Sequence, residues 1–278
     1  AAAAGAVRAR SMLQLAATLD AAQQGSTLLV TVTNETGHKL PTGYPEGRRM
    51  WLNVRFYDDN LELVGESAAY DGATAVLDTS GSAKVYEAKP GLDELTAPLV
   101  GTTPGPSFHF VLNNRIFKDN RIPPRGFNNS DFAEFGGSPV GHTYADGQYW
   151  DETLYDIPAG ATSAHVTLYY QSTSRDYVEF LRDENTTNSK GQELYDLWVA
   201  HGMSPPEFMA EQVVIITPPL PGDCSGDGVV SAADVEMFAD CMAGPSTGTP
   251  MTECTCADVD ADGDVDLLDY ATIQQVAQ

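Results

Sequence analysis

At 278 residues, with 42% hydrophobic and 9% aromatic content, the chain suits one large domain, or a domain of about 200 residues with a small companion, and is not globally disordered. A formal net charge of −24 argues against nucleic acid and anionic membrane surfaces as partners. No apolar run reaches the roughly 18 residues of a membrane helix, and the alanine-rich start lacks the apolar stretch of a signal peptide, so any such segment is expected to be removed or to lie upstream.

In chain order, Ala6 to Ala22 reads as a helix with Met12, Leu15 and Leu19 on one stripe. From Ser26 the period changes to two. Val30 and Val32 alternate with Thr31 and Thr33, and Leu52, Val54 and Phe56 alternate with Asn53, Arg55 and Tyr57. Phe108, Phe110 and Leu112 repeat the pattern, as do Val166, Leu168 and Tyr170, and a final strand is expected near Val213 to Ile216. Short strands separated by Gly, Pro and Asn clusters point to a mainly β fold, an antiparallel, immunoglobulin-like β-sandwich with a few helices. Two helices are expected near its end: SRDYVEFLRDEN, opened by a Ser N-cap, and KGQELYDLWVAHG, closed by Gly202. The prolines of TPPLPG (Thr217 to Gly222) make a stiff linker. The expected organisation is an N-terminal helical segment (1–25), the sandwich (26–217), the linker (218–222) and a small α-helical module (223–278).

Charge and cysteine both concentrate in that last module. From Pro218 to Gln278 there are 12 Asp+Glu and no Lys or Arg, which is half of the net charge. The chain's four cysteines, Cys224, Cys241, Cys254 and Cys256, lie there as well. An even number without CxxC reads as two disulfides in an oxidising compartment, with Cys254 and Cys256 each bonded outward rather than to each other. Zinc through these thiols is the weaker reading, because the segment has no His.

Two windows fit a calcium loop. In DCSGDGVVSAAD, Asp223, Ser225, Asp227, Gly228 and Asp234 take positions 1, 3, 5, 6 and 12. In DVDADGDVDLLD the same positions hold Asp258, Asp260, Asp262, Gly263 and Asp269. A hard cation needs six to eight oxygens, alternate residues of a tight loop point inward, and glycine permits the sharp turn. Position 7 offers a backbone carbonyl (Val229, Asp264), and position 9 (Ser231, Asp266) commonly acts through water. An apolar-faced helix follows each loop, with Val235, Phe238 and Met242 on the first and Tyr270 and Ile273 on the second. Asp at position 12, and loop–helix units without a preceding helix, resemble the duplicated repeats of dockerin modules over residues 222 to 276. That resemblance implies attachment to a cohesin-like or surface partner through helix faces that include Ala232, Ala233, Leu267 and Leu268. The cysteines depart from the usual dockerin pattern.

One loop of the sandwich stands apart. NETGHKLPTGYPEGRRMW (Asn34 to Trp51) gathers His38, Lys39, Arg48 and Arg49 in an otherwise acidic chain. With VLNNRIFKDNRIPPRGF, DGQYWDETLYDIP, LYYQSTSRDYVEFLRD and LYDLWVAHGMSPP, it resembles the β-sandwich region attached to multihaem c-type cytochromes of planctomycete type, from about Ala6 to Thr217. The sequence holds no CxxCH, so it attaches no c-type haem covalently. The resemblance implies that the TGHKLPTG loop lies against a haem-bearing region or subunit, with His38 a candidate axial ligand. Imidazole is a common axial ligand, Gly37 would let the backbone approach a flat cofactor, and Lys39, Arg48 and Arg49 would pair with propionates. The plainer reading is a turn histidine bonded to backbone and arginines in ordinary salt bridges. AAAAGAVRARSMLQLAATL resembles the helix that follows the haem-bearing part in that family, so the chain reads as a C-terminal portion.

His109 and His165 fall on the polar phase of expected strands, His142 in a loop and His201 at a helix end, all commonly surface or hydrogen-bonding positions. The aromatic residues of DGQYWDETLYDIP read as loop packing, with a sugar platform as the minority reading. Asp58 and Asp59 are turn residues. Three classes of function remain, in this order: a non-catalytic accessory domain of an extracytoplasmic electron-transfer system with a calcium-binding tail; a carbohydrate-binding or adhesion module attached through its tail; and a hydrolase with no identifiable acid/base pair.

Overall fold

The structure, a computed structural model, describes residues 2–217, 220–226, 228–242, 254, 256–260 and 262–276. Helix α1 (Ala2–Gln14) stops where the Leu15 N–H bonds back to the Ser11 and Met12 carbonyls. Strand β1 (Ala17–Gln24) follows and pairs along its whole length with β2 (Thr27–Asn34). The helix is therefore shorter than its periodicity suggests, and β1 replaces its second half. Ala17 and Leu19 are buried on alternate positions of β1, whereas Met12 is 72% and Leu15 77% exposed. Pairing with β2 satisfies the β1 backbone and buries Leu19, which outweighs the modest helix preference of Ala and Gln.

Strand β3 (Arg49–Tyr57) is followed by β4 (Leu63–Ser67), the short hairpin β5 (Tyr70–Asp71) and β6 (Val76–Leu77), then β7 (Lys84–Tyr86) and β8 (Ala88–Leu92). A 3₁₀ turn at Ala97–Val100 precedes β9 (Gly105–Pro106) and β10 (Arg115–Asp119). Phe108 to Leu112 forms turns, not the strand its alternation suggests, and Phe110 and Leu112 are exposed. Helix α2 (Asn129–Glu134), β11 (Trp150–Asp156), β12 (Ser163–Gln171), α3 (Arg175–Asp183), α4 (Lys190–Ala200) and β13 (Glu207–Ile215) complete this part.

The strands form one sheet in the order β1-β2-β11 and a second in the order β13-β12-β3-β4, with β7 also paired to β3, all antiparallel. Their inner faces share one core. Leu28, Val30 and Val32 of β2 meet Leu52, Val54, Val166 and Leu168 of β3 and β12, all fully buried. Each such side chain contributes roughly 1.5–3 kcal/mol relative to an exposed position. β3 is buried on both faces: Trp51, on the outer side, packs with Ala68, Leu77 and Val85. A small third sheet, β10-β8-β9, flanks the sandwich.

Both expected helices are present. Ser174 caps α3 by accepting from the Tyr177 N–H, and α4 ends before Gly202, whose φ is 86°. Along α4, Trp198 is buried and Leu197 is 58% exposed. After β13, the Thr217 amide and carbonyl both bond to the Gln23 side chain, which ties the end of the sandwich to β1. The tail carries α5 (Ala232–Cys241) and α6 (Leu267–Val276) around a core of Val230, Phe238, Ala257, Val265 and Ile273. Val230 and Val265 occupy position 8 of their loops, so the duplication in the sequence is also a duplication in the packing.

Candidate functional site

The loop after β2 is held by a buried amide. Asn34, 1% exposed, donates through Nδ2 to the carbonyls of His38, Ile122 and Pro123, and its Oδ1 accepts from the Thr36 N–H and hydroxyl. Leu40 and Ile122 exchange backbone hydrogen bonds of 2.8 and 2.9 Å, and the Leu40–Pro41 peptide is cis. The loop is thereby clamped to the DNRIPP segment. His38 projects from this clamped backbone: its residue is exposed, and among the described residues its ring has no partner.

The three cations of the loop differ from one another. Lys39 is 9% exposed and pairs with Asp119 at 2.8 Å, below the ring of Phe132. Arg49 is 8% exposed, donates from Nε to Gln171 Oε1 at 2.9 Å, its cross-strand neighbour on β12, and stacks over Trp51. Of the two, Lys39 is already ion-paired, whereas Arg49 has given only its Nε and has no ion pair among the described residues. Burial lowers the Arg49 guanidinium from its ordinary value, and the charges of Asp176 and Glu87 only partly restore it. Arg48 is half-buried and donates to the Thr42 carbonyl at 2.5 Å.

Arg48 and Arg49 line a cleft of about 350 Å³ together with Glu46, Lys89, Phe108 and the N-terminus of α3. Glu46 lies in the same sequence stretch as His38 but carries no sequence signal, because nothing local marks a glutamate for burial. It is 5% exposed, and its Oε2 is buried without a hydrogen-bond partner. A second polar centre also has no sequence signature. Asp151, 1% exposed, accepts from Tyr86 Oη at 2.9 Å and pairs with Lys84 at 2.8 Å and His142 at 2.7 Å. Burial alone would raise its carboxyl; these three partners outweigh that and hold it below the usual carboxylate range. His142 is thus a hydrogen-bonding residue. His165 lies in β12 against Tyr57, and His109, outside any strand, packs edge-on against Phe180. The DGQYWDETLYDIP aromatics include a buried strand residue, Tyr155, while Tyr149 lies under Arg125.

In the tail, the first loop folds around Asp223, whose carboxylate accepts from the Gly226 and Gly228 N–H groups, each at 2.8 Å. Ser225 donates to it at 3.3 Å, and Val229, at position 7, follows Gly228. Asp227 lies outside the described residues. Asp234, fully buried, accepts from the Ser225 and Ser231 N–H groups and completes a capping box at α5. Its burial would raise the carboxyl, and these N–H groups hold it below the usual range instead.

In the second loop, carboxylate oxygens of Asp258, Asp260 and Asp262 lie within 4.8 Å of one another, as do those of Asp264, Asp266 and Asp269. Asp258 Oδ1 is buried without a hydrogen-bond partner among the described residues. Burial and the repulsion of Asp262, Asp269 and Asp258 raise the Asp260 carboxyl above its ordinary value. Crowded hard oxygens, one of them buried and unmatched, fit a calcium ion. Asp269 uses its oxygens on the Val259 and Asp266 N–H groups, at 2.7 and 2.8 Å, so position 12 also organises the loop backbone.

The disulfides join Cys224 to Cys256 and Cys241 to Cys254, as the outward pairing predicts, and no cysteine among the described residues is free. The first bridge ties position 2 of one loop to the residue two before the other loop. Of the face expected on α5, Val235 and Phe238 turn inward but Met242, just past the helix end, is 44% exposed.

Fold and site together define a mainly antiparallel β protein joined to a duplicated cation-loop module. The family of that module is the dockerin type I domain, which matches residues 221–276. Dockerin domains bind calcium and dock on cohesin partners, and with its two disulfides the module is that of an extracellular or surface protein. A solved structure with similarity to this chain is a penta-heme cytochrome c552 from Thermochromatium tepidum, 17% identical with a TM-score of 0.43, over 74% of this chain and 41% of that one. The chain thus spans less than half the length of that cytochrome. No curated protein matches the chain. Among the described residues no helix is long and apolar enough to cross a membrane.

Proposed function

We propose that this chain is a non-catalytic assembly module of an extracytoplasmic electron-transfer system. The sandwich presents His38 as an axial ligand to a haem carried by a partner subunit or an upstream region. The tail binds two calcium ions, one in each loop, and holds the assembly in place. The observation that carries this reading is the pairing of a partnerless, exposed imidazole with a backbone fixed by Asn34 and Ile122. A rigidly mounted neutral imidazole is what axial ligation requires. Arg48, half-buried in the same loop, is the cation that remains for a propionate.

The test is the visible spectrum and intact mass of the protein isolated from its native source. A Soret band, with a co-purifying haem protein or added mass, is expected, and His38→Ala should shift that band by removing an axial ligand. A colourless polypeptide of 29.8 kDa with no haem partner would sink the reading.

The second reading is an extracellular carbohydrate-binding or adhesion module attached through its dockerin tail. Leu267 and Leu268, 69% and 62% exposed at the start of α6, favour it, together with the exposed Ala232 and Ala233 of the first repeat. They form an apolar surface suited to a cohesin-like partner. Calcium-dependent capture of a cohesin from the same source by the colourless protein would favour this reading over the first.

A further inference from the structure

A cleft of about 350 Å³ opens on the later part of the His38 loop. Its floor is the Pro45 to Arg49 stretch, and its walls come from the β5–β6 hairpin, β7, β8, the residues around β9 and the start of α3. Most of the ions that line it are already matched. Lys89 pairs with Glu87 at 3.0 Å and Arg175 with Glu179 at 3.1 Å, while Arg48 donates from Nη1 to Thr42 O and keeps a buried Nε without a partner. Asp176 is exposed at the rim, where water solvates it.

Two more buried side chains line the cleft. Glu46 keeps one carboxylate oxygen without a hydrogen bond. Arg49 has given only Nε, to Gln171, and among the described residues no carboxylate stands within 4.0 Å of it. In a chain with 39 Asp+Glu and 15 Lys+Arg, a buried guanidinium without an ion pair is unusual. A buried polar atom left unanswered, as Glu46 Oε2 is, carries a desolvation cost. Ala75, also on the cleft wall, is 1% exposed and sits at φ 57°, a left-handed conformation that a non-glycine residue adopts only when its surroundings impose it.

We propose that this cleft binds a small organic acid whose carboxylate stands beside a hydrogen-bond donor, an α-amino acid or an α-hydroxy acid. The free edge of the Arg49 guanidinium takes the carboxylate in a charge-assisted pair. Glu46 Oε2, which can only accept, takes the ammonium or hydroxyl. Apolar wall residues, among them Val76, Leu77, Pro90 and Phe108, receive the rest of the molecule. The four cations lining the cleft, against three carboxylates, draw an anion into a molecule that otherwise repels one. A cleft of about 350 Å³ accommodates a ligand of this size and lies at the small end of ligand sites. This inference does not depend on the haem reading, since Glu46 and Arg49 are inside the cleft and His38 is outside it.

The test is calorimetry and thermal melting of the whole chain with calcium present. The probes are alanine and lysine as amino acids, lactate and glycolate as hydroxy acids, and acetate and glucose as controls. Either the amino acids or the hydroxy acids should bind at least tenfold more tightly than acetate, and glucose should not bind. Which of the two groups prevails identifies the donor that Glu46 receives. Glu46→Gln should bring the preferred probe down to the acetate level. Val76→Trp, at a rim position 46% exposed, should block every probe while leaving the melt of the free protein unchanged. If none of the probes binds, or if the preferred probe survives both substitutions, the proposal is overturned.

Discussion

Lys39 and Asp119 meet at 2.8 Å with side chains 9% and 7% exposed, and this contact joins two segments 80 residues apart. Arg121 closes on the same carboxylate, with Nε at 2.8 Å from Oδ1 and Nη2 at 2.7 Å from Oδ2. Burial alone would raise the Asp119 carboxyl, but Arg121 first and Lys39 second hold it below the usual range. Burial lowers the Lys39 ammonium, and Asp119 restores it only in part. Removing the carboxylate leaves a buried ammonium with nothing to answer it. Asp119→Ala should therefore cost about 3–5 kcal/mol, read as a drop in the urea midpoint at pH 7. A loss under about 1 kcal/mol would mean that the loop is held by Asn34 and the Leu40–Ile122 bonds alone.

The same carboxylates set an acid limit. Asp119 and Asp151 are both depressed in the folded protein, so the unfolded chain, with Asp near 3.9, takes up their protons first. Their contribution is fully present above about pH 4 and is lost as pH falls through the folded values. The urea midpoint of the sandwich should hold from pH 7 to about 5 and then fall steeply below 4. In Asp151→Asn the fall should be shallower, from a lower starting midpoint. An acid limit with the same slope in the variant would remove Asp151 from the explanation.

How much of this was legible in the sequence depends on how local each relationship is. The dockerin repeats were readable because alternate carboxylates and one glycine within a dozen residues form a local pattern. Val30, Val32, Leu52 and Val54 were readable because a half-buried strand needs period two. The helix expected through Ala22 was shortened by a partner strand that no local pattern announces. Phe108 to Leu112 alternate as a strand does, yet the chain turns there: the Ser107 carbonyl accepts from Asn113 Nδ2, and the His109 carbonyl accepts from the Leu112 and Asn113 N–H groups. Lys39 and Arg49 showed their charge but not their commitments, because Asp119 and Gln171 are 80 and 122 residues away. Glu46 had no signal at all: its interest comes from the cleft that distant elements build over it.

Gly91 is the residue on which one wall of that cleft depends. A Cβ there would overlap Gly105 O and crowd the carbonyl carbon of Gly105 and Cα of Pro106, all backbone atoms of β9. Backbone cannot rotate away as a side chain does, so β9 would have to leave β8. Gly91→Ala should cost about 1–3 kcal/mol, as overpacking does. It should also lower affinity for the cleft's ligand, because Pro90 and Pro106 stand on the two strands that separate. An unchanged melt would show that β9 is not held against β8 in solution.

The tail should respond to calcium and to reductant by separate routes. On the proposed reading calcium neutralises loop carboxylates that otherwise repel, so chelation should remove stability from the folded state. The bridges act on the unfolded chain instead. Closing loops with sequence separations of 32 and 13 contributes about 3–4 kcal/mol apiece in the chain-entropy account. Chelator alone and reductant alone should each lower the melt and the protease resistance of residues 222–276, and the two together should unfold the tail. The sandwich, whose core of Val30, Leu52 and Val166 contains neither thiol nor loop carboxylate, should melt unchanged throughout. Asp258→Asn should reproduce the chelator effect in part, through the second loop only. If chelator leaves the reduced tail as resistant as before, the loops do not hold calcium, whatever their spacing.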